Sequence, residues 1–251
     1  MRAETKPKTA VRYALSIIFW LAVWQLTASA ANRGLLLKIP LPTQTLRAFF
    51  ENCARAEFWS AVGSSVLHIV CGFLSAVVIG VMFALFSARS SVFRALSAPV
   101  MHLVRSVPVA VFIIIAWLWI PTRILPSCIS CLMVMPIIMS HTEAALCAID
   151  EKLVEMARVF GMKRVDILLK IKAPLIAPGL RAGCITGLGI AWKSGVAAEV
   201  ICNPTGSIGA LLQGAKTAID YEQVFAVTLT VVLLSLALEN VLKIVWRERK
   251  R

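Results

Sequence analysis

Acidic side chains are scarce in this chain. There are 13 Asp and Glu among 251 residues, against 26 Lys and Arg. The three histidines, His68, His102 and His141, lie in or beside different apolar stretches, and no motif joins them to carboxylates. That argues against an enzyme centre built on histidine and carboxylate. Seven cysteines fall mostly in apolar stretches, which favours free buried thiols over a disulfide framework. Cys128-Ile-Ser-Cys131 has redox spacing, but no basic neighbour lowers a thiol pKa there. It reads as two small core residues, and His141 alone does not complete a zinc site. No internal repeat and no soluble domain are evident. No basic run interleaved with aromatics suggests nucleic-acid binding. Gly187 to Ser194 looks like a phosphate loop, but Trp192 stands where the second glycine is required. The chain is not expected to bind ATP, a metal or a cofactor.

What the chain has is apolar residues: 59%, with a mean hydropathy of +0.82. This is the signature of a multi-span membrane protein. A span needs about 20 largely apolar residues to cross about 30 Å of hydrocarbon. Six stretches are candidates: 14–31, 58–87, 107–120, 124–142, 175–201 and 224–245. In lipid the backbone must satisfy its own hydrogen bonds, so these are expected to be helices. The first stretch resembles a signal peptide, with Ala28-Ser29-Ala30 as a cleavage site. Its long apolar run with Trp20 and Trp24 favours an uncleaved helix. The expected organisation is a tail at 1–13, a transmembrane domain at 14–246 and a tail at 247–251.

The net charge of +13 is explained by topology. With the N-terminus inside and the spans alternating, 17 of the 26 basic residues are cytoplasmic and six are outside. Arg105, Arg181 and Lys193 lie within spans or at their edges. This is the positive-inside pattern, and it puts both termini in the cytoplasm. Residues 32–57 form an outer loop in which Thr43 is expected to cap a short surface helix. That helix should carry Leu46, Phe49 and Phe50 on one side and Arg47 and Glu51 on the other. Residues 88–95 read as a short cytoplasmic turn, and Arg105-Ser-Val-Pro108 opens the third span.

Residues 150–160 read as an amphipathic helix. Leu153, Met156, Ala157 and Phe160 recur at i, i+3, i+4 and i+7, and Gly161 suits a left-handed C-terminal cap. At about 16 Å it is too short to span. On physics alone it either docks in a groove on a soluble partner or lies flat on the membrane.

The spacing decides more. Glu155, Ala157, Gly161, Ile171 and Pro174 match, in register, the EAA loop of ABC importer permeases. Met156 replaces an alanine of that pattern and Ala173 a leucine. The literal Glu143-Ala144-Ala145 upstream lacks a glycine at the required distance. The chain therefore resembles an ABC importer permease. Its Ile-Pro-x-Pro stretch from Ile39 to Pro42, its Arg105-x-x-Pro108 and its Trp192-x4-Ala197-Ala-Glu199 resemble the nitrate, sulfonate and taurine branch. The resemblance covers roughly residues 35–245. It implies an all-α, type I importer permease fold with about six transmembrane helices. It further implies two ATP-binding subunits, a second permease copy in a homodimer, an extracytoplasmic substrate-binding protein and a small anionic solute. The resemblance also implies that 150–174 is the coupling loop. A stand-alone secondary transporter or channel is the alternative, and it leaves this loop unexplained.

In the fifth span, Gly179, Gly183, Gly187, Ala191 and Gly195 recur every four residues. Such a stripe permits close helix approach, within one subunit or at a dimer interface. Trp192, Lys193 and Glu199 are candidates to line the pathway. A lysine at this depth needs a partner, water or a substrate anion. Lys193 and Glu199 point about 120° apart and are not expected to pair.

Overall fold

The computed structural model describes residues 6–33 and 38–247. The remaining parts of the expected tails, 1–5 and 248–251, and residues 34–37 of the outer loop lie outside the described residues.

The described chain is all-helical. Helix α1 covers Lys6–Ala31, α2 Pro42–Cys53, α3 Ala56–Arg89, α4 Ser91–Ser106, α5 Val109–Trp117 and α6 Leu125–Cys147. Helix α7 covers Glu151–Val159, α8 Arg164–Asp166, α9 Ala173–Cys202, α10 Ile208–Thr217 and α11 Tyr221–Arg247. A π-helical turn, Ile167–Lys172, joins α8 to α9. Ala173 N donates to Leu168 O five residues back, and Pro174 then has no N–H to continue an α register.

Among the described residues, four helical segments are long and apolar enough to cross a membrane: Ala56–Arg89, Leu125–Cys147, Arg164–Cys202 and Tyr221–Val245. One of the six expected spans differs from the sequence reading. Helix α1 covers the whole of the expected first stretch, 14–31, and Leu15–Ala31 is apolar. The third span is not a plain crossing. Helices α4 and α5 meet at a 104° bend, the geometry of a broken span or a re-entrant loop. The bend sits at Val107-Pro108, where proline holds Val107 extended (ψ 134°). The expected turn at 88–95 shrinks to Ser90, whose Oγ accepts from Phe93 N at 3.2 Å and starts α4.

The core is built by α3, α6 and α9. Ile69, Phe73, Val134, Ile138, Leu188 and Trp192 interlock there, and Val227 of α11 joins them. The helices approach closely because small residues face them. A Cβ on Gly72 would fall 2.3 Å from Ser127 O, and one on Gly80 2.8 Å from Ile138 Cβ. A second cluster ties α5 to α6 and α9 through Ile113, Leu125, Ile129 and Ala198. Helix α1 stands apart, with Ala28 buried and Ile17, Ile18 and Trp20 exposed. Its Trp24 stacks on Phe225 of α11.

Helix α2 also departs from expectation. Leu41, not Thr43, is its N-cap, and its backbone N–H donates to Gln44 Oε1 at 2.8 Å. The inward side carries Thr45, Ala48 and Asn52, while Leu46 and Phe50 are exposed. The reason is a polar partner remote in sequence: Asn52 Nδ2 donates to Gln223 Oε1 of α11 at 2.7 Å.

Candidate functional site

Two regions carry the candidate residues. The first is the loop around α7. Asp150 caps the helix, its Oδ1 accepting from Lys152 N at 3.0 Å. At the other end Gly161 takes φ +76°. Met162 N donates to Ala157 O at 3.1 Å and Gly161 N to Arg158 O at 2.9 Å, which closes a Schellman turn. Nothing lies within 4 Å of where a Gly161 Cβ would be. Glycine is required there for its backbone angle, not for space.

That turn folds the chain back beneath α7. Val154, Ala157 and Ile167 form a small buried cluster, with Ile149, Met162 and Ile171 packed against it. The apolar face read from periodicity therefore divides. Ala157 points inward with Val154. Leu153, Met156 and Phe160 point outward with Val159, and the last two are 80% and 86% exposed respectively. The helix thus has two apolar stripes, and the chain itself covers one. Glu155 is exposed and lines a groove with Arg94, Arg158 and Lys172. Pro174 is exposed in the first turn of α9.

The second region is α9. The small-residue stripe faces α6 and α3 of the same chain. A Cβ would come within 2.7 Å of Ala145 Cβ at Gly179, 2.9 Å of His141 at Gly183, and 2.9 Å of Val134 at Gly187. At Gly195 it would meet Ile69 at 2.5 Å and Ser130 Oγ at 2.6 Å. Ser130 Oγ also donates to Ala191 O at 3.0 Å.

The three pathway candidates separate. Trp192 is 1% exposed, and its Nε1 donates to Val231 O of α11 at 3.0 Å. Glu199 is 0% exposed. Its Oε2 accepts from Ser65 Oγ of α3 at 2.7 Å and from Gly209 N of α10 at 3.1 Å. Neither residue lines an opening in this structure. Seven residues apart, they share the inward face of α9, at about 100° per residue. Lys193 lies on the next face and is exposed, with no ion pair or hydrogen bond to any described residue. Glu239 Oε2 instead pairs with Lys243 at 3.3 Å, and its Oε1 lies over Gly189, one turn of α9 before Lys193.

Sequence reasoning missed two participants and the partner of a third. Ser65 and Gly209 have no local signal, since their shared partner is distant. Arg105 was placed at the opening of a span, but its Nη2 donates to Pro136 O of α6 at 2.5 Å and ties α4 to α6 just before the bend. An arginine three residues before a proline was the available clue.

Known proteins resemble this arrangement. The family described as "Binding-protein-dependent transport system inner membrane component" matches residues 76–251. The riboflavin transport system permease protein RibX of Chloroflexus aurantiacus is 25% identical over 226 residues, 89% of this chain and 83% of that one. The taurine transport system permease protein TauC of Escherichia coli is 24% identical over 226 residues, 87% and 81% of the two chains. A solved bacterial ABC transporter involved in alginate import superposes with a TM-score of 0.66 at 14% identity, covering 98% of each chain. That structure shares the fold.

Proposed function

The chain belongs to the family of binding-protein-dependent transport system inner membrane components, and on that premise we propose the parts of the transport machine its residues serve. It is a membrane-spanning transport subunit of an ABC importer, not an enzyme. In our reading, two ATP-binding subunits grip α7, and a second copy of the chain completes the pathway as a homodimer. An extracytoplasmic binding protein delivers the solute. Both termini and α7 then lie in the cytoplasm, in keeping with the charge distribution.

The observation that carries the coupling role is the divided apolar surface of α7. Val154 and Ala157 rest on the chain's own loop, while Leu153, Met156, Val159 and Phe160 face outward and are exposed, the last two most of all. A helix anchored on one stripe and bare on the other suits insertion into a groove on a soluble partner. Ile167, in the π turn that leads into α9, packs on Val154 and Ala157, which supports transmission of a push on α7 to that helix.

The solute is a small anion, in the range of sulfonates, taurine or nitrate. Lys193 supports this, being a cation exposed on α9 without a partner among the described residues. Its cost in the membrane is offset if a water-filled pathway and a passing anion surround it. A photoreactive residue at position 160 tests the coupling reading. Crosslinking to an ATP-binding protein is the expected result, and crosslinking to lipid alone overturns it.

A further inference from the structure

We propose that the bend between α4 and α5 stands in water near the middle of the membrane, where it forms part of the wall of the pathway. The proposal rests on the reading of this chain as a solute pathway. Arg105, next to last in α4, fixes the depth of the bend. Its Nη2 donates to the carbonyl oxygen of Pro136, the middle residue of α6 (Leu125–Cys147). The bend therefore lies about 16 Å from either end of a helix long enough to cross a membrane. Leu125 and Cys202 share one cluster, so the start of α6 and the end of α9 lie on the same side. Lys193 precedes Cys202 by about 14 Å along α9, which puts it at a depth similar to that of the bend.

At the bend the backbone loses its own partners. Pro108 has no N–H to offer Val104 O. Val107 and Pro108 are both extended, with ψ 134° and 136°. They carry the amides of Val109 and Ala110 away from Arg105 O and Ser106 O. Val111 N turns to Pro108 O at 3.0 Å and leaves Val107 O. The side chains at the bend do not replace these bonds. Arg105 bonds to α6, and Ser106 Oγ donates to Leu103 O at 3.2 Å. Arg105, Ser106, Pro108 and Ala110 are exposed. Hydrocarbon does not tolerate open backbone groups or a guanidinium at this depth, whereas a water-filled cavity does. Broken helices that line such cavities follow the same rule. From the bend, α5 runs on to pack Ile113 with Ala198 of α9, so the open backbone lies beside the helix that carries Lys193.

The test measures thiol reaction rates, position by position, by mass spectrometry. It uses the chain with its accompanying subunits in proteoliposomes. The probe is anionic sulfonatoethyl methanethiosulfonate, which needs a thiolate in water. Native Cys71 is the reference for a lipid face, since it is exposed on α3 among exposed Leu67, Leu74 and Val78. Ser106→Cys should react at least tenfold faster than Cys71. Its rate should change at least threefold between the nucleotide-free and ATP-trapped complex, because the pathway changes the side to which it opens. Arg105→Gln should lower the preference at position 106 for this probe over its trimethylammonium counterpart. A rate at position 106 no faster than that of Cys71 would overturn the proposal. So would a fast rate indifferent to nucleotide, which marks a membrane-surface turn. Lys193→Cys is labelled in parallel. Reaction there with none at position 106 would sink this proposal alone, and reaction at neither position would sink the pathway reading with it.

Discussion

Glu199 and Ser65 are 134 residues apart in sequence, yet Glu199 Oε2 accepts a hydrogen bond from Ser65 Oγ at 2.7 Å. Ser65 Oγ in turn accepts from Ile208 N at 2.9 Å, and Glu199 Oε2 from Gly209 N at 3.1 Å. One buried carboxylate thus fixes α3, α9 and the start of α10 together. Glu199→Ala removes the acceptor and strands the Gly209 N–H, at a cost of about 1.5–3 kcal/mol. Glu199→Gln keeps an acceptor oxygen and is expected to lose less. Thermal unfolding in detergent, with both variants side by side, checks the order; equal loss would contradict it.

The glycines of α9 are predicted to differ sharply. Gly195→Ala drives a methyl into Ile69 and Ser130 Oγ, with an overpacking cost of about 1–3 kcal/mol. Gly189→Ala meets only the movable tip of Glu239, at 3.1 Å. Its gain in helix propensity, up to about 1 kcal/mol, leaves it neutral or slightly stabilising. Melting temperatures in the same detergent distinguish the two. Comparable destabilisation would mean that α9 packs differently.

Gly161 has open space but a left-handed backbone. Gly161→Val is expected to cost about 1–2 kcal/mol locally, because a Cβ penalises φ +76°. Gly161→Asn is expected to be milder, since asparagine tolerates that region. The readout is solute-stimulated ATPase of the assembled complex: valine should uncouple it and asparagine should largely retain it. Equal activity of the two would remove the turn from the account.

Much of this was legible in the sequence, and the limits have physical causes. The long apolar runs give α3, α6, α9 and α11 because lipid leaves the backbone no alternative to helix. Gly161 marks the end of α7 because capping is local chemistry. The 104° bend was not legible. Pro99 sits inside α4 and does not break it, whereas Pro108 does, so proline alone did not say where the span parts. Periodicity placed Leu153 and Ala157 on one face of α7, but Ile167 and Ile171 return beneath only one side of it. Glu199 looked like a pathway residue because its partners, Ser65 and Gly209, come from other helices.

Lys193→Met is predicted to abolish solute uptake into proteoliposomes while leaving assembly intact. The side chain is exposed and makes no ion pair or hydrogen bond to a described residue, so folding should change by no more than about 0.5 kcal/mol. Unchanged uptake would remove Lys193 from the pathway.

The central claim is that the outward stripe of α7 is gripped by an ATP-hydrolysing partner. The most direct measurement is mild-detergent purification of the tagged chain from its native membranes, with mass spectrometry of what accompanies it. Wild type should bring a stoichiometric ATPase. Phe160→Asp, on the exposed stripe, should lose it while the chain itself remains folded and monodisperse. An ATPase retained at full stoichiometry by Phe160→Asp, or no ATPase with wild type, would contradict the account.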